Sequence, residues 1–421
     1  MELKKYKLAD IAKIEISGVD KKTIEGETPV RLCNFVDVYY NWAITKDKAK
    51  RFMIASAKQS EIDRFSIGKG MVAITKDSET KYDIGVATYI ADNFDNVVLG
   101  YHCALITPNP TIVDGKYLNA FMHTQYIQKY FENNASGSGQ RYTLSNDTIS
   151  NIQVLLPPME VQRTIGKLLA DLDRKIELNR QINDNLEAMA KQLYDYWFVQ
   201  FDFPNEEGKP YKSSGGAMVW NEKLKREIPQ GWHCGTLLDI AEYTNGLACQ
   251  KYRPTDNNKL PVIKIKEMHD GLSADTEWVK TDIPDDVKVF DGDVLFSWSA
   301  SLEVMLWAYG NGGLNQHIFK VTSKNGYPRS FYFYQLIHYV GIFKQMAEAR
   351  KTTMGHITQD HLKQSTIALP PNVDIANKLE EKLCPIFDEI VKNNQEIMAL
   401  TKQRDELLPL LMNGQASVNS D

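Results

Sequence analysis

The sequence predicts an α+β fold in which two duplicated, mixed α/β domains are separated by a pair of long antiparallel coiled-coil helices. Two observations predict it. Four short segments of the first half recur in the same order in the second half, and each half ends in a long segment with apolar residues at heptad spacing. The chain has 421 residues, more than one compact core of ordinary size holds, so two or three domains are expected.

The repeat rests on four pairs of similar segments. They are KLADIAKI with TLLDIAEY (Lys7–Ile14 and Thr236–Tyr243), PVRLCNF with PVIKIKE (Pro29–Phe35 and Pro261–Glu267), KGMVAIT with DGDVLFS (Lys69–Thr75 and Asp291–Ser297), and LSNDTISNIQVLLPP with ITQDHLKQSTIALPP (Leu144–Pro158 and Ile357–Pro371). Any one similarity could arise by chance, but the order holds for all four. The period is too long for a solenoid, so we interpret the repeat as duplication of a whole module.

Both modules show the same succession of short β-rich runs and one helix. The predicted strands lie around Val30–Val36, Met71–Thr75, Ile84–Ile90 and Val97–Thr107 in the first copy, and around Pro261–Glu267, Asp293–Trp298, Val304–Tyr309 and His317–Thr322 in the second. The predicted helices span Lys116–Asn133 and Pro328–Ala349, where apolar residues recur at helical spacing. His102 and His317 occupy matching positions, and we interpret them as packed histidines of apolar strands.

Each module ends at a Pro-Pro pair, formed by Pro157 and Pro158 in the first copy and by Pro370 and Pro371 in the second. Proline cannot continue a strand ladder, but its fixed φ and missing N–H suit the first turn of a helix. Asn372 is a suitable helix cap in the second copy. We therefore expect each pair to mark the change from a globular module to a long helix.

The two long segments carry apolar residues in alternating steps of three and four, which is typical of a coiled-coil seam. The first seam runs through Leu169, Leu172, Ile176, Asn179, Asn183, Leu186, Ala190, Leu193 and Trp197, and the second through Leu379, Leu383, Ile386, Ile390, Asn393, Ile397, Leu400, Arg404, Leu407 and Leu411. Asn179 and Asn393 fall at matching points, where a polar residue fixes the register of paired helices. The alternative is two ordinary amphipathic surface helices.

These signals divide the chain into six segments. Residues 1–155 and 232–369 are the two predicted domains, 156–200 and 370–414 the long helices, 201–231 a linker rich in Gly, Pro, Ser and charge, and 415–421 a tail. The aromatic run Leu193–Phe203 ends the first helix. It is either a docking patch for another protein or the packed end of the helix pair.

Composition indicates an ordinary globular chain, since 43% of residues are hydrophobic and 24% are charged. The formal net charge of −5 argues against a surface that is basic throughout, but it does not exclude a locally basic cleft. The five cysteines are odd in number and far apart, which predicts free thiols in a reducing compartment and no metal site. With no apolar run of membrane-spanning length and no signal segment, we expect no membrane association and a cytoplasmic location.

Catalytic motifs are missing from the sequence. It has no phosphate-binding G-x-x-x-x-G-K-[ST] loop, no dinucleotide-binding G-x-G-x-x-G after a strand, and no His-x-x-x-His pair on a helix. The Asn-Pro-Thr at Asn109 departs at its third residue from the Asn-Pro-Pro-aromatic motif of amino-methyltransferases. A large duplicated chain of this kind is expected to recognise or to assemble rather than to catalyse.

The first long helix and the segment after it carry a resemblance to a known family. The stretch LPPMEVQRTIGKLLADLDRKIELNRQINDNLEAMAKQLYDYWFVQFDFP, followed by EEGKPYKSSGGAMVWNEKLKREIPQGW, resembles the central conserved region and linker of type I restriction–modification specificity subunits. The duplication, the length and the second Pro-Pro helix agree with it. Two departures are the absence of an IPQGW segment before the first module and Ile375 in the place of Gln162.

The resemblance implies a function for each part. Each module would be a target recognition domain that reads one half of a bipartite double-stranded DNA site, and the chain itself would be non-catalytic. Two methyltransferase subunits would dock on the helices and bring S-adenosylmethionine. Two restriction or motor subunits would bring ATP and Mg²⁺. The predicted spacer and docking residues are Leu172, Ile176, Asn179, Leu186, Leu193, Trp197, Ile386, Ile390, Asn393, Leu400 and Leu407.

The long helices suit the role of a spacer between two DNA readers. A helix of about 39 residues is about 58 Å long at about 1.5 Å per residue. If a pseudo-two-fold axis relates the two copies, the helices run antiparallel and hold the modules further apart than one turn of B-DNA, which is about 34 Å. The target sequence and the spacer length cannot be derived from these residues.

Four loop segments have the side chains that DNA contacts require, because bases are read by Arg, Lys, Asn and Gln and phosphates by positive or hydroxyl groups. The segments are Thr45–Arg51, Ser136–Thr143, Cys249–Lys259 and Ala349–His356. The second and fourth occupy equivalent places in the two modules. The predicted DNA-binding residues are Lys46, Lys48, Lys50, Arg51, Ser138, Gln140, Arg141, Tyr142, Gln250, Lys251, Tyr252, Arg253, Asn257, Arg350, Lys351, Thr352, Thr353 and His356.

Two other functions stay open on the sequence alone. The chain could be a structural coiled-coil adaptor whose globular domains bind proteins, or a self-sufficient DNA enzyme with an unfamiliar site. Any single basic loop could also be an ordinary solvated surface. Selection of a split DNA sequence distinguishes the specificity subunit from the adaptor, and methyl transfer by this chain alone would indicate the enzyme.

Overall fold

The computed structural model of the chain describes residues 3–137, 140–273, 275–299, 301–349, 357–416 and 418. The chain divides into two compact units, which we call the first unit (Met1–Glu177 with Leu400–Asp421) and the second unit (Leu178–Ala399). Each unit contains one copy of the repeat together with part of both long helices.

The first copy of the repeat is built from short strands and helices. Its strands are β1 Lys4–Lys7, β2 Ala12–Ile16, β3 Thr28–Cys33, β4 Ala43–Ile44, β5 Met53–Ala57, β6 Val72–Thr75, β7 Asp77–Ser78, β8 Ala87–Ile90, β9 Val97–Leu99, β10 Cys103–Pro108, β11 Ser136–Gly137, β12 Tyr142–Thr143 and β13 Gln153–Leu156. Its helices are α1 Leu8–Ile11, α2 Phe35–Tyr39, α3 Lys46–Ala49, α4 Gln59–Phe65, α5 Gly115–Met122, α6 Gln125–Asn134 and α7 Asn146–Ser150.

The strands of the first copy form two main sheets. A five-stranded sheet has the order β2-β10-β6-β8-β4, and a three-stranded sheet has the order β5-β3-β9 with β3 and β9 parallel. Helices α5 and α6 bury Leu118, Phe121 and Phe131 against Ile74 and Ile106 of the larger sheet. The first strand pairs with the last, since β1 is antiparallel to β13, and this pairing closes the module.

The second copy follows the π-helical turn Asp195–Val199 and a hairpin of β14 Met218–Asn221 and β15 Arg226–Pro229. Its strands are β16 His233–Thr236, β17 Ala241–Asn245, β18 Lys259–Ile263, β19 Trp278–Lys280, β20 Lys288–Val289, β21 Val294–Ser297, β22 Glu303–Leu306, β23 Gly312–Leu314, β24 Ile318–Ser323 and β25 Thr366–Leu369. Its helices are α9 Leu237–Ile240, α10 Ile265–Asp270, α11 Arg329–Ala349 and α12 Gln359–Gln364, with short 3₁₀ turns at Cys249–Lys251 and Asp285–Val287.

The second copy repeats the strand order of the first. Its larger sheet runs β17-β24-β21-β22, where the first copy has β2-β10-β6-β8. Its smaller sheet again has one parallel pair, β18 with β23, and β16 pairs with β25 as β1 pairs with β13. The predicted duplication of a mixed α/β module is therefore confirmed.

The helix of the first copy differs from the prediction of a single element over Lys116–Asn133. The chain forms α5 and α6 instead, because Thr124 stands between them in extended backbone and its hydroxyl accepts a hydrogen bond from the Ile127 N–H at 3.5 Å. Hydroxyl side chains at this position favour the start of a new helix. The second copy keeps one helix, α11, of 21 residues.

Both long helices are continuous over the lengths that the heptad pattern predicts. Helix α8, Met159–Tyr194, has 36 residues and begins directly after Pro158, and α13, Asp374–Met412, has 39 residues. The Asn372 side chain accepts a hydrogen bond from the Asp374 N–H at 3.0 Å, in agreement with its predicted capping role. Pro385 and Pro409 lie inside α13 without ending it, although interior prolines normally disfavour a helix.

In the first unit the two long helices pack against each other and complete the core of the first module. Leu169 of α8 and Leu408 and Leu411 of α13 are buried in the same apolar cluster as Phe121 and Ile106. Arg404 lies 3.8 Å from Asp173 and stacks over the Trp42 ring at 4.7 Å. The C-terminal turns of α13 are therefore a structural part of the first module.

In the second unit the helices pair antiparallel through a polar contact inside an apolar seam. Asn393 donates from Nδ2 to Asn183 Oδ1 at 2.9 Å, and Asn183 donates to Asn394 Oδ1 at 2.9 Å. Asn179 donates to Glu396 Oε2 at 2.8 Å. Leu379, Leu383 and Ile390 are buried in the core of this unit. The predicted coiled-coil pairing thus exists, but Asn393 pairs with Asn183 rather than with its sequence counterpart Asn179.

The segment between α8 and the second module is ordered where the sequence predicts a linker. Asp202 accepts hydrogen bonds from the backbone and side chain of Ser213 at 2.7 and 2.6 Å, and Tyr211 stacks on Phe203. The aromatic run that ends α8 is mostly core, since Trp197 is only 4% exposed and Phe201 only 1%, but Tyr196 and Val199 are 36% and 41% exposed.

We expect Leu411→Ala to lower the free energy of unfolding of the first unit by about 2–5 kcal/mol, the usual cost of truncating a buried leucine. Its matched control is Leu410→Ala, because Leu410 is 41% exposed while Leu411 is 2% exposed. That control should cost about 0.5 kcal/mol or less. Urea-dependent hydrogen exchange of β6 and β10 measures both, and equal effects would show that α13 does not complete this core.

Replacing one of the two paired asparagines should destabilise the helix pair more than replacing both. Asn393→Leu leaves the buried Asn183 Oδ1 without its 2.9 Å donor, which costs about 1–3 kcal/mol. The double variant Asn183→Leu, Asn393→Leu removes both polar groups and should regain most of that loss. Urea unfolding of the four proteins of the double-mutant cycle gives the coupling energy. Additive losses would contradict the pairing.

Candidate nucleic-acid interface

An open cleft of about 530 Å³ lies at one end of the larger sheet of the first module. Residues next to the ends of three strands line it: Ser17 follows β2, Lys76 follows β6, and Tyr101 and His102 precede β10. The hairpin of β11 and β12 adds Ser136, Gly137, Arg141 and Thr143. The cleft thus contains part of the predicted DNA-binding segment Ser136–Thr143.

The hairpin is fixed to the sheet by backbone pairing. Strand β12 pairs with β7, so that Thr143 stands opposite Asp77 and Tyr142 opposite Ser78. A Cβ atom at Gly137 would lie 2.1 Å from the Arg141 carbonyl oxygen, so only glycine allows the two strands of the hairpin to approach this closely. This close approach places Arg141 at the mouth of the cleft.

His102 has an unusual backbone conformation, with φ at 68° in the left-handed region. Non-glycine residues rarely adopt it, and such positions often coincide with functional sites. Its carbonyl oxygen accepts a hydrogen bond from the Lys76 N–H at 2.8 Å, and its ring contacts both the Asp77 carboxylate and the Arg141 guanidinium. The prediction of a packed histidine within a strand is wrong, because His102 is half-buried in a turn before β10.

Asp77 carries the negative charge at the centre of the cleft. Its Oδ1 lies 3.1 Å from Lys76 Nζ and its Oδ2 lies 3.4 Å from Arg141 Nη2. Burial alone would raise the pKa of this carboxyl, but hydrogen bonds from Thr143, His102 and Lys76 outweigh burial and lower the pKa to about 2. Asp77 therefore stays ionised at any physiological pH.

A second open cleft, of about 560 Å³, adjoins the first, and Asp77, His102 and Arg141 line both. Its other side is formed by α2 and the loop before β8, with the exposed side chain of Tyr40 and the predicted contact residue Gln140. The Arg141 guanidinium therefore stands between two open surfaces.

Backbone hydrogen bonds identify the equivalent place in the second module. Lys76 N–H binds the His102 carbonyl, and Trp298 N–H binds the His317 carbonyl at 3.3 Å. Leu144 N–H then binds the Lys76 carbonyl at 2.8 Å, and Ile357 N–H binds the Trp298 carbonyl at 3.0 Å. Trp298 therefore takes the place of Lys76, and His317 that of His102.

The side chains at this place differ between the modules. In the second module the Trp298 indole N–H donates to Asn245 Oδ1 at 3.0 Å, and its ring lies 5.7 Å from that of His317. His317 is exposed in a turn before β24, so the prediction of a packed strand histidine is wrong here as well. The same backbone frame thus carries a charged cluster in the first module and an indole and an amide in the second.

The other predicted DNA-binding residues lie in several different settings. Lys48 pairs with Glu177 at 3.1 Å and is mostly covered, whereas Lys46, Lys50 and Arg51 are exposed. In the second module Tyr252 is half-buried beneath Lys280, and the exposed predicted residues are Gln250, Lys251, Arg253 and Asn257. Ser138, Arg350, Lys351, Thr352, Thr353 and His356 lie outside the residues that the structure describes.

Sequence reasoning missed Lys76, Asp77 and His102 as parts of this cluster. The matching positions of His102 and His317 were the available signal, because a residue type retained at a turn of both copies indicates a shared role. Asp77 had no such signal, since Trp298 and Ser299 follow the corresponding strand of the second copy.

The predicted spacer and docking residues of the long helices lie on the seam. Ile176, Asn179, Trp197, Ile390 and Asn393 are buried within their own units, and Leu172, Leu186, Leu193, Ile386, Leu400 and Leu407 are half-buried. Their burial agrees with a spacing role, while docking of partner subunits stays a prediction. The apolar side chains that α8 and its π-helical end leave more exposed are Leu178, Ile182, Met189, Tyr196 and Val199.

Among the residues that the structure describes, no group of three or more His, Cys, Asp or Glu side chains is arranged to hold a metal ion. None of the helices described is both long enough and apolar enough to cross a membrane.

Comparison with known proteins points to one family. A sequence model of the family described as type I restriction modification DNA specificity domain matches residues 1–188 and 229–402. The type I restriction enzyme MjaIX specificity subunit of Methanocaldococcus jannaschii is 26% identical over 74% of this chain and 71% of its own. The type I restriction enzyme HindI specificity subunit of Haemophilus influenzae is 24% identical over 80% of this chain and 85% of its own.

Among solved structures, the S subunit of a type I restriction–modification system from M. genitalium has a similar fold. Its TM-score is 0.59 at 13% identity, over 100% of this chain and 97% of that one. At this identity the likeness concerns the fold alone.

The charge cluster around Asp77 should make the first unit sensitive to acid. A carboxyl whose pKa is lowered from 3.8 to about 2 stabilises the folded state above about pH 4, and that stabilisation is lost as the pH falls towards 2. Relative to Asp77→Asn, the wild-type chain should keep a constant advantage in unfolding midpoint between pH 7 and about pH 4, and lose it below. A difference that is already shrinking between pH 7 and 5 would contradict this assignment.

Proposed function

The chain belongs to the family of type I restriction–modification DNA specificity domains, and from this premise we propose that each of its two modules reads one half of a bipartite double-stranded DNA site. The observation that carries the proposal is the agreement between two independent divisions of the chain. The two family matches, residues 1–188 and 229–402, each contain one complete copy of the repeated sheet.

DNA would be read from the cleft at the end of the larger sheet of the first module and from the equivalent place, around Trp298 and His317, in the second module. They occupy equivalent backbone positions, but they present different side chains, as two different half-sites require. Exposed basic and amide residues of the loops supply further contacts: Lys46, Lys50, Arg51, Gln140, Arg141, Gln250, Lys251, Arg253 and Asn257. Lys48 is the least suited of the predicted contacts because Glu177 already neutralises it at 3.1 Å.

The long helices act as the spacer between the half-sites in this proposal. At about 1.5 Å per residue, the 39 residues of α13 correspond to about 58 Å. That length exceeds one turn of B-DNA, about 34 Å. A seam fixed by buried asparagines keeps a constant register, which a constant spacer length requires.

The partners in this proposal are two methyltransferase subunits and two restriction or motor subunits. S-adenosylmethionine would be bound by the former, and ATP and Mg²⁺ by the latter, while this chain selects the site and carries no catalytic step. Its cytoplasmic location follows from the same role, since such a complex acts on cellular DNA. Membership of the specificity family favours this reading over a structural adaptor that binds only proteins.

The test begins with identification of the target. Methylome sequencing of the host with and without this gene should reveal one split motif, methylated only when the gene is present. A gel shift with this chain and its methyltransferase subunits should then select that motif over a scrambled one. An adaptor would show no such selection, and methyl transfer by this chain alone would indicate an enzyme.

Arg141→Ala should weaken selection at one half-site only, because Arg141 belongs to the first module. Arg64→Ala is the matched control in the same module, since Arg64 is also exposed but lies on α4 and pairs with Glu15 at 3.1 Å. The measurement is the competition of each half-site, mutated separately, against the intact motif. Equal loss at both halves would contradict the assignment of one module to one half-site.

A further inference from the structure

We propose that Arg141 reads a guanine in the half-site contacted by the first module, and that Asp77 and His102 are positioning residues that hold its guanidinium for this contact. The inference rests on the proposed function and adds to it the base that is read and the two residues that orient the reader.

The geometry around Arg141 holds one edge of its guanidinium and leaves the rest available. Its Nη2 donates to Asp77 Oδ2 at 3.4 Å and lies against the His102 ring, 2.5 Å from Nδ1 and 3.0 Å from Nε2, while the Nδ1–H of His102 donates to the same carboxylate. The other nitrogens make no hydrogen bond to a described residue in this cluster. Arginine has five N–H donors in a planar fork, so a fork held at one nitrogen still presents a pair of donors elsewhere.

Burial decreases from the base of the cluster to its tip. The side chain of Asp77 is 10% exposed, that of His102 is 24% exposed and that of Arg141 is 59% exposed. A covered carboxylate beneath a largely exposed guanidinium is the arrangement expected of a side chain that is fixed at its base and offered to a partner. Thr143 and the paired strands β7 and β12 keep Asp77 in place.

A stabilising role alone explains this arrangement poorly. An ion pair with an arginine that is mostly exposed contributes little to folding. The His102 backbone meanwhile occupies a left-handed conformation that a histidine adopts only at an energetic cost. We attribute the retention of this unfavourable backbone conformation to function, because it places the His102 ring where it orients Arg141.

The choice of guanine follows from donor and acceptor chemistry. In the major groove guanine presents two acceptors, O6 and N7, and a bidentate arginine is the commonest specific contact to them. Phosphate requires positive charge with little need for orientation, which the exposed Lys46 and Arg51 supply. The positive charge of Lys76, 3.1 Å from Asp77, cancels the negative charge of that carboxylate. The cluster therefore keeps one net positive charge, that of Arg141, and holds its guanidinium in one orientation.

The second module offers an internal comparison. At the equivalent place Trp298 donates to Asn245 beside His317, and no carboxylate–guanidinium pair occurs there among the residues described. The proposal is made for the first half-site, since residues 350–356 of the equivalent segment lie outside the residues that the structure describes. Each variant can be judged against the unchanged second half-site in the same complex.

The experiment uses the full chain assembled with its methyltransferase subunits and a DNA library in which each base pair of both half-sites is varied singly. Arg141→Ala and Asp77→Asn should both relax the preference at one and the same G·C pair of the first half-site, by about ten-fold or more. Arg141→Lys should partly restore that preference, because lysine can also donate to guanine. Arg64→Ala and the thermal unfolding midpoint serve as controls for folding.

Salt dependence separates base reading from phosphate contact. For a base reader, the slope of log affinity against log salt stays unchanged in Arg141→Ala, whereas loss of a phosphate contact lowers it by about one. A uniform loss of affinity with that lower slope would overturn guanine reading. A normal base preference in a folded Asp77→Asn protein would overturn the positioning role. Relaxed preference in the second half-site instead would overturn the proposed function itself.

Discussion

The pairing of Asn183 with Asn393 inside an otherwise apolar seam is the contact on which the rest of the structure depends. A buried amide must find a partner, and a shift of either helix by one turn would break the Asn183–Asn393, Asn183–Asn394 and Asn179–Glu396 hydrogen bonds together. Leucines alone would tolerate such a shift far better. The asparagines therefore select one register, as polar residues do at coiled-coil core positions.

That register has consequences for both units because each long helix contributes to both. The C-terminal turns of α13 supply Leu408 and Leu411 to the first module, and the C-terminal part of α8 supplies Ala190 and Tyr194 to the core of the second unit. A chain arranged in this way cannot complete its first module until its last helix is made. The module that comes first in the sequence is therefore not the first that the growing chain can complete.

The sequence predicts the scaffold well, because periodicity and repetition depend on only a few residues. The heptad steps and the recurring segments were enough to identify the helix pair and the duplication. The pairing of PVRLCNF with PVIKIKE is shifted by two residues: Gly100 N–H binds the Cys33 carbonyl and Asn315 N–H binds the Ile263 carbonyl, so Cys33 corresponds to Ile263. A shift of two keeps every side chain on its face of the strand, so the hydrophobic pattern does not reveal it.

The features that could not be predicted are those that depend on contacts between distant residues. The continuity of α13 through Pro385 opposes local preference, and tertiary packing decides it. Pro385 lies between Leu383 and Phe387, whose burial in the core holds the helix on both sides. The cluster of Asp77, His102 and Arg141 joins three separate loops, which no spacing in the sequence brings together.

Local arrangement also explains how a chain with a net charge of −5 can serve as a DNA reader. Several of its basic side chains are paired with acids, as Lys48 is with Glu177 and Lys50 with Asp47. Paired charges release few counterions from DNA, so they add little to affinity that is independent of sequence. In the proposed contact Arg141 differs from these lysines, because Lys76 balances Asp77 at 3.1 Å and the guanidinium keeps its charge while Asp77 orients it. A reader built in this way gains discrimination from the orientation of its side chains rather than from its net charge.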